Sequence, residues 1–210
     1  MKLHLYSDIH KEFETKNNIF MPPGGDVLIL AGDVCVADDF NQDTLAWFQE
    51  VSERYEQVFY VLGNHEHYHG DLTASYWILN EELPENVTIL NNTSAYYRGV
   101  HFVGATLWTN FNNLNVDTMD TARTYMNDYH CIRNGDVALQ PEDTLDEHLN
   151  TVTWFEQVLP TLKQGKIVVI THHAPSLQSI KGRYTAMPGA YATDLEALMK
   201  KHDNIVLWCH

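Results

Sequence analysis

Short apolar runs recur along the chain, and most of their residues are β-branched or aromatic. Runs of this kind are typical of strands that are buried on both faces of a sheet. They cover residues 3–6, 27–31, 58–62, 87–90, 101–105, 167–170 and 205–208. Between several of them lie segments with helical spacing, over residues 43–55, 71–82, 143–162 and 194–201. Strands that alternate with helices predict an α/β fold.

The polar segments refine this picture. Asp43, Asp71 and Asp194 lie at predicted helix N-termini, where a carboxylate caps free amides and favours the helix dipole. Residues 106–142 are polar and without clear periodicity, which predicts an irregular excursion over the surface. No repeat, low-complexity tract or linker divides the chain, so we expect a single domain over residues 1–210.

Side chains that bind metals follow four of the predicted strands. The segments concerned are Ser7-Asp8-Ile9-His10, Gly32-Asp33, Gly63-Asn64-His65-Glu66 and Thr171-His172-His173. In open α/β sheets the carboxyl ends of the strands line the ligand crevice. We therefore expect the fold to bring together five candidate metal ligands, which are Asp8, His10, Asp33, Asn64 and His172.

The spacing of these residues has a chemical reason. Asp8 and His10 are two residues apart, so in an extended segment both side chains point to the same side and can clamp one ion. Gly32 and Gly63 allow the backbone to turn sharply and to approach an ion closely. A carboxylate can place its oxygens on two ions at once, which makes Asp33 the candidate bridge. Such mixed oxygen and nitrogen ligands suit manganese, iron or zinc better than calcium.

Taken together, these motifs resemble four of the five ordered signatures of the calcineurin-like metallophosphoesterases, and the resemblance runs from residue 3 to residue 210. It implies an α/β fold in which a two-sheet β-sandwich is flanked by helices. It also implies two divalent metal ions as cofactors, with manganese first and iron, zinc or nickel as alternatives. By this resemblance the first ion is held by Asp8, His10 and Asp33, the second by Asp33, Asn64 and His172, and His65 is the catalytic residue that helps to protonate the leaving alcohol.

The resemblance implies a metal-dependent phosphoesterase, a hydrolase that cleaves phosphomonoester or phosphodiester bonds by attack of metal-bound hydroxide. The family's fifth signature, Gly-His-x-His, is expected after a strand that residues 205–210 resemble. Because the sequence stops there, we expect the C-terminal part of the fold to be missing and each ion to lack one ligand. The alternative is a catalytically weakened member of the fold that acts as a protein-binding scaffold, although the presence of His65 favours the enzyme.

The net charge indicates which binding partners are expected, and the cysteine content indicates the cellular compartment. The formal net charge of −15 repels the phosphates of nucleic acid, so we expect a small phosphorylated substrate rather than DNA or RNA, and a nuclease is disfavoured. Three widely spaced cysteines do not predict a disulfide framework and fit a reducing cytoplasm. The sequence shows neither a signal peptide nor a stretch long enough to span a membrane.

Other polar residues near the motifs are open to two interpretations. His67 and His69 extend the histidine cluster, but we expect no second metal site there. His210 could reach into the site, although we favour a position outside it. The segment Arg183-Tyr184 is a weaker candidate for contact with a substrate phosphate, because arginine presents a planar fork to such groups.

Overall fold

Two four-stranded sheets form the framework of the protein, which a computed structural model describes over residues 1–14, 19–181 and 187–210. The first sheet is wholly parallel and contains, in spatial order, β1 (Leu3–Tyr6), β2 (Gly25–Ala31), β3 (Tyr55–Val61) and β4 (Val87–Ile89). The second contains β10 (Ile205–Cys209), β9 (Lys166–Thr171), β6 (Val100–Ala105) and β5 (Thr93–Tyr97), of which β5 runs antiparallel to β6. A short hairpin joins β7 (Arg133–Asn134) to β8 (Val137–Ala138).

Helices and single turns connect these strands. The α-helical segments are α1 (Gln42–Arg54), α2 (Ala74–Glu82), α4 (Val116–Tyr125), α5 (Asp128–Cys131), α6 (Pro141–Val158) and α7 (Glu196–Lys201), and α3 (Phe111–Leu114) is a single turn with left-handed φ values. Single 3-10 turns lie at Lys11–Phe13, His65–His67, Leu159–Thr161, Leu177–Ser179 and Pro188–Ala190. In the described part of the chain, no helix is both long and apolar enough to cross a membrane.

The two sheets pack face to face, and helices cover their outer faces. Between the sheets, Phe59 of β3 stacks on Phe102 of β6 with ring centroids 4.1 Å apart. A Cβ atom at Gly104 would lie 2.6 Å from the Cβ of Leu90, so the close approach of the sheets requires glycine there. On the outer faces, α1 and α2 share a core cluster with the first sheet, and α6 shares one with the second. The predicted sandwich flanked by helices is therefore confirmed.

Most predicted strands and helices are present, with small differences at their ends. The strand β5 was not predicted, because its residues are mostly exposed and form no apolar run. The expectation of burial on both faces was wrong for β1 and β10, which lie at sheet edges and are partly exposed. The side chain of Asp194 accepts a hydrogen bond from Glu196 N as a cap should, whereas α1 is capped by Asn41 and not by Asp43.

The prediction for residues 106–142 was wrong, because this segment folds into helices and a hairpin around a small core of its own. The helix α4 begins after Asn115, whose side-chain oxygen accepts from Thr118 N at 2.8 Å. Its buried positions, Met119 and Ala122, are followed by Met126 and contribute to an apolar cluster. That stripe is narrow, and the other apolar residues of α4, Val116 and Tyr125, are exposed, so the helical period is weak in the sequence.

Candidate metal centre

Polar side chains from both sheets meet at one edge of the sandwich. Asp8 follows β1, Asp33 follows β2, Asn64 follows β3 and His172 follows β9, so all four lie at carboxyl ends of strands. Together with His10 they line one cavity of about 590 Å³. The fold thus places the five predicted ligands side by side, and their assignment as metal ligands stays a prediction.

Asp33 lies at the middle of this group and is almost fully buried. Its Oδ2 is 3.8 Å from His10 Nε2, and its Oδ1 is 3.4 Å from His172 Nε2. The two oxygens of one carboxylate therefore face imidazoles from opposite sides of the cavity. The backbone N–H of His65 donates to Oδ1 at 2.9 Å and fixes the orientation of the carboxylate.

Asp8 and His10, the predicted ligands of the first ion, lie close together, but not because their segment is extended as expected. His10 Nε2 lies 3.9 Å from Asp8 Oδ1, yet neither residue is extended. Asp8, His10 and Asp33 have φ values of 55°, 51° and 55°, in the left-handed region that non-glycine residues rarely adopt. The argument from strand periodicity was therefore wrong, and tight left-handed turns bring the side chains together. Strained backbone of this kind is characteristic of functional sites.

Asn64 and His172, the predicted ligands of the second ion, show why this cavity suits a cation. His172 Nδ1 donates to the carbonyl oxygen of Ala31 at 2.9 Å, so in the neutral imidazole Nε2 carries a lone pair. That atom lies 3.1 Å from Asn64 Oδ1 and 3.4 Å from Asp33 Oδ1, both of which are acceptors. Three potential ligand atoms therefore face one another, and either a proton on Nε2 or a cation between them would offset their repulsion. Burial lowers the pKa of His172, but the carboxylates around the ring, Asp33 first, and the hydrogen bond to Ala31 together outweigh burial and leave the pKa raised.

Two glycines allow these turns to approach each other, and the close approach of their backbone to an ion stays a prediction. Gly32 has φ of +90°, and a Cβ atom there would lie 2.5 Å from His172 Nδ1 and 2.8 Å from Gly63 N. A Cβ atom on Gly63 would overlap the carboxylate of Asp33 and would lie 2.9 Å from His172 Cδ2. Any side chain at either position would push Asp33 and His172 apart.

Glu66 supports the site from below, a role that the sequence did not reveal. This fully buried carboxylate accepts from Asp33 N at 3.0 Å and Val34 N at 2.6 Å, which lie after β2, and from Gly63 N at 2.6 Å after β3. The Tyr60 hydroxyl also donates to it. Burial raises the pKa of Glu66, and the nearby Asp33 carboxylate raises it further. One side chain thereby holds together the two turns that carry Asp33 and Asn64.

Asp128 orients the other face of Asn64. Its Oδ1 accepts from Asn64 Nδ2 at 2.7 Å and from the Tyr68 hydroxyl at 2.8 Å, and its side chain is buried. With Nδ2 bound to Asp128, the amide of Asn64 turns Oδ1 toward His172. Nothing in the sequence pointed to this residue, because it lies 64 positions from Asn64 in the segment that was predicted to be irregular.

The remaining histidines and Arg183 have separate outcomes. His67 is buried and stacks on Trp108, and burial lowers its pKa to about 4, so its imidazole is neutral. His210 lines the cavity and contacts Ser179 Oγ at 3.1 Å, so the preference for a position outside the site was wrong. Arg183-Tyr184 lies outside the described residues.

His10, Asp33 and His65 each offer a ligand atom within 4.8 Å of the others, which makes His65 a geometric candidate for metal as well.

The donor set fits divalent cations. It combines carboxylate and amide oxygens with imidazole nitrogens, which suit manganese, iron and zinc. His172 Nε2, Asn64 Oδ1 and Asp33 Oδ1 converge, with the two oxygens 3.1 and 3.4 Å from the nitrogen, so three potential ligand atoms face one point. The residues present therefore fit a metal site at this edge of the sheets.

Comparisons with known proteins show the family and the fold of this chain. A family model described as calcineurin-like phosphoesterase matches residues 1–210. The uncharacterized protein L509 of Acanthamoeba polyphaga mimivirus is 27% identical over 242 residues, which cover 99% of this chain and 82% of that protein. The crystal structure of phosphopantetheinyl hydrolase (PptH) from Mycobacterium tuberculosis superposes with a TM-score of 0.62 at 17% identity, covering 91% of this chain and 75% of that one. At that identity the likeness shows the shared fold alone.

Proposed function

Because the chain belongs to the calcineurin-like phosphoesterase family and is thus a metal-dependent hydrolase, we propose that it is a dinuclear-metal phosphoesterase for small phosphorylated substrates. One observation carries this proposal. The two carboxylate oxygens of Asp33 face different imidazoles, with His10 Nε2 3.8 Å from Oδ2 and His172 Nε2 3.4 Å from Oδ1. A carboxylate placed in this way is suited to be shared by two ions.

The ligands divide into two groups around Asp33. Asp8 and His10 complete the first group, and Asn64 and His172 complete the second. Two divalent ions bound there, with manganese the first choice, would neutralise phosphate charge and activate a water for attack on phosphorus. The cavity of about 590 Å³ has room for a small ester, and its edge is open to solvent.

His65 is the proposed general acid. Its Nδ1 is bound to Glu12 Oε1 at 2.9 Å, and its ring stacks on Tyr68 with centroids 4.1 Å apart, so two contacts fix the ring. With Nδ1 occupied, Nε2 is the nitrogen that can hold a proton for the cavity. As the bond between phosphorus and the leaving oxygen breaks, that proton passes to the oxygen and an alcohol departs.

Metal content tests the shared carboxylate directly. Asp33→Asn should lower the occupancy of both ions together, and Asp39→Asn, an exposed carboxylate on the loop after the same strand, serves as the matched control. Both variants and the wild type are titrated with Mn²⁺, analysed for bound metal by mass spectrometry, and assayed with nitrophenyl phosphate and a bis-nitrophenyl phosphodiester. Unchanged stoichiometry in Asp33→Asn would exclude the bridge. Hydrolysis that survives complete chelation would exclude the metal-dependent reaction.

A further inference from the structure

A carboxylate that the sequence did not single out connects two functional imidazoles. Glu12 lies on the 3-10 turn Lys11–Phe13, directly after His10, and its side chain is only 15% exposed. Its Oε1 is 3.0 Å from His10 Nδ1 and 2.9 Å from His65 Nδ1. The rings of His10 and His65 lie edge to face with centroids 4.4 Å apart. One oxygen atom thus binds the same nitrogen of a predicted ligand and of the proposed general acid.

This arrangement restricts the chemistry of both rings. An ionised carboxylate only accepts hydrogen bonds, and a glutamate is ionised at neutral pH, so Glu12 Oε1 accepts from both imidazole nitrogens within its reach. Both Nδ1 atoms must therefore donate, and in a neutral imidazole a proton on Nδ1 leaves the lone pair on Nε2. His10 Nε2 lies 3.9 Å from Asp8 Oδ1 and 3.8 Å from Asp33 Oδ2, so it faces the predicted ligands.

We propose that Glu12 is a positioning residue, whose Oε1 holds both His10 and His65 in the Nδ1–H tautomer and turns both Nε2 atoms toward the cavity. For His10, this places a lone pair where a ligand needs it, and a carboxylate behind a metal-binding histidine also fixes the ring orientation. For His65, it leaves Nε2 as the atom that exchanges a proton with the leaving oxygen. The role in hydrolysis rests on the proposed function, but the tautomer assignment does not.

A second feature separates Glu12 from an ordinary surface ion pair. Its Oε2 is buried and has no hydrogen-bond partner among the described residues, so the carboxylate is held by its contacts through Oε1. Glu14, on the end of the same turn, instead contacts the ammonium group of Lys11 and the backbone of Phe20. The two acids are adjacent in the fold but have different partners, which makes Glu14 a matched control.

The tautomers can be measured without substrate. Long-range ¹H–¹⁵N spectra of the full chain are recorded after chelation and again with diamagnetic Zn²⁺, at a pH raised until the ¹⁵N shifts of both rings are those of neutral imidazole. Signals are assigned with His10→Gln and His65→Gln. In the wild type, both rings should be in the Nδ1–H form. Glu12→Ala should give both rings a mixture of tautomers, and Glu12→Met, which keeps the side-chain volume without a strong acceptor, should do the same.

The conservative variant distinguishes positioning from a purely structural role. Glu12→Gln keeps Oε1 as an acceptor and should retain the Nδ1–H form of both rings, and Glu14→Gln should leave the spectra unchanged. Mn²⁺ affinity and turnover should fall about 10–100-fold in Glu12→Ala and Glu12→Met and much less in Glu12→Gln. Unchanged tautomers in both deletion variants would overturn the proposal, as would a glutamine variant that behaves like alanine. Failure of the proposed function would instead abolish wild-type hydrolysis and leave the spectra as stated.

Discussion

The buried carboxylate of Glu66 offers the most direct test of how the site is built. Glu66→Gln changes little in shape but replaces one acceptor oxygen by an NH₂ group. Oε2 accepts from Asp33 N and Gly63 N, and Oε1 accepts from Val34 N, from Cys35 N at the longer distance of 3.4 Å, and from the Tyr60 hydroxyl. Either orientation of the amide therefore points NH₂ at two backbone N–H groups.

The number of backbone N–H groups that lose their acceptor determines the expected loss in the free energy of unfolding. A buried donor that loses its partner costs about 1–3 kcal/mol, so two such donors predict a loss of roughly 2–6 kcal/mol in the free energy of unfolding. The hydroxyl of Tyr60 can rotate and adds little to this sum. Since native domains are stable by about 5–15 kcal/mol, the variant should still fold, with a clearly lower unfolding midpoint.

Urea unfolding of the full chain, followed by tryptophan fluorescence and circular dichroism, measures this loss. Glu53→Gln, on the exposed surface of α1, is the matched control and should change the free energy of unfolding by no more than about 0.5 kcal/mol. Because Glu66 ties the turn of Asp33 to the turn of Asn64, the glutamine variant should also bind Mn²⁺ more weakly. A loss below about 1 kcal/mol relative to the control would refute the view that Glu66 holds these turns together.

Three further predictions follow from the contacts of His65, Asp128 and His148. His65→Ala should keep the metal content and lower turnover of esters with poor leaving groups by about 10²–10⁴, with a smaller loss for nitrophenyl esters, and loss of metal would instead mark His65 as a ligand. Asp128→Ala removes the acceptor for Asn64 Nδ2 and should weaken Mn²⁺ binding about 10–100-fold in calorimetric titrations, whereas Asp128→Asn should lose less; equal losses would contradict a role in orienting Asn64. Burial lowers the pKa of His148, so below about pH 6.5 the unfolded chain binds a proton more readily than the folded chain, and stability falls as the pH is lowered. This loss of stability should be smaller in His148→Gln than in wild type when unfolding is measured at neutral and at acidic pH.

The sequence predicts the parts of the site that depend on strand ends. Apolar runs mark the strands, and the first polar residues after them, such as Asp33 and His172, must lie at the edge of the sheets. The same reasoning failed for the local conformation of Asp8 and His10, because period-2 alternation ends with the strand and left-handed turns follow. The pattern of apolar residues shows where each strand ends, but it does not determine the conformation of the turn that follows.

Residues that act through other residues could not be predicted from spacing. Asp128 reaches Asn64 only because α5 packs against the turn after β3, and this packing depends on an apolar cluster with a weak sequence pattern. Glu12 is close to His10 in sequence, but its contact with His65 joins residues 53 positions apart. Contacts of this kind arise from tertiary packing, so a single sequence contains no periodic signal for them.

The negative charge of the protein affects how this site would bind phosphate and metal ions. The net charge of −15 opposes the approach of a phosphate, and Asp8, Asp33 and Asp128 all line the cavity. Glu66, by contrast, lies beneath the cavity, where backbone N–H groups offset its charge. Two divalent cations would add about four positive charges and reverse the sign of the local potential. Asp8 and Asp33, which repel a phosphate, would therefore hold the ions that attract it, so we expect substrate affinity to rise when metal is bound.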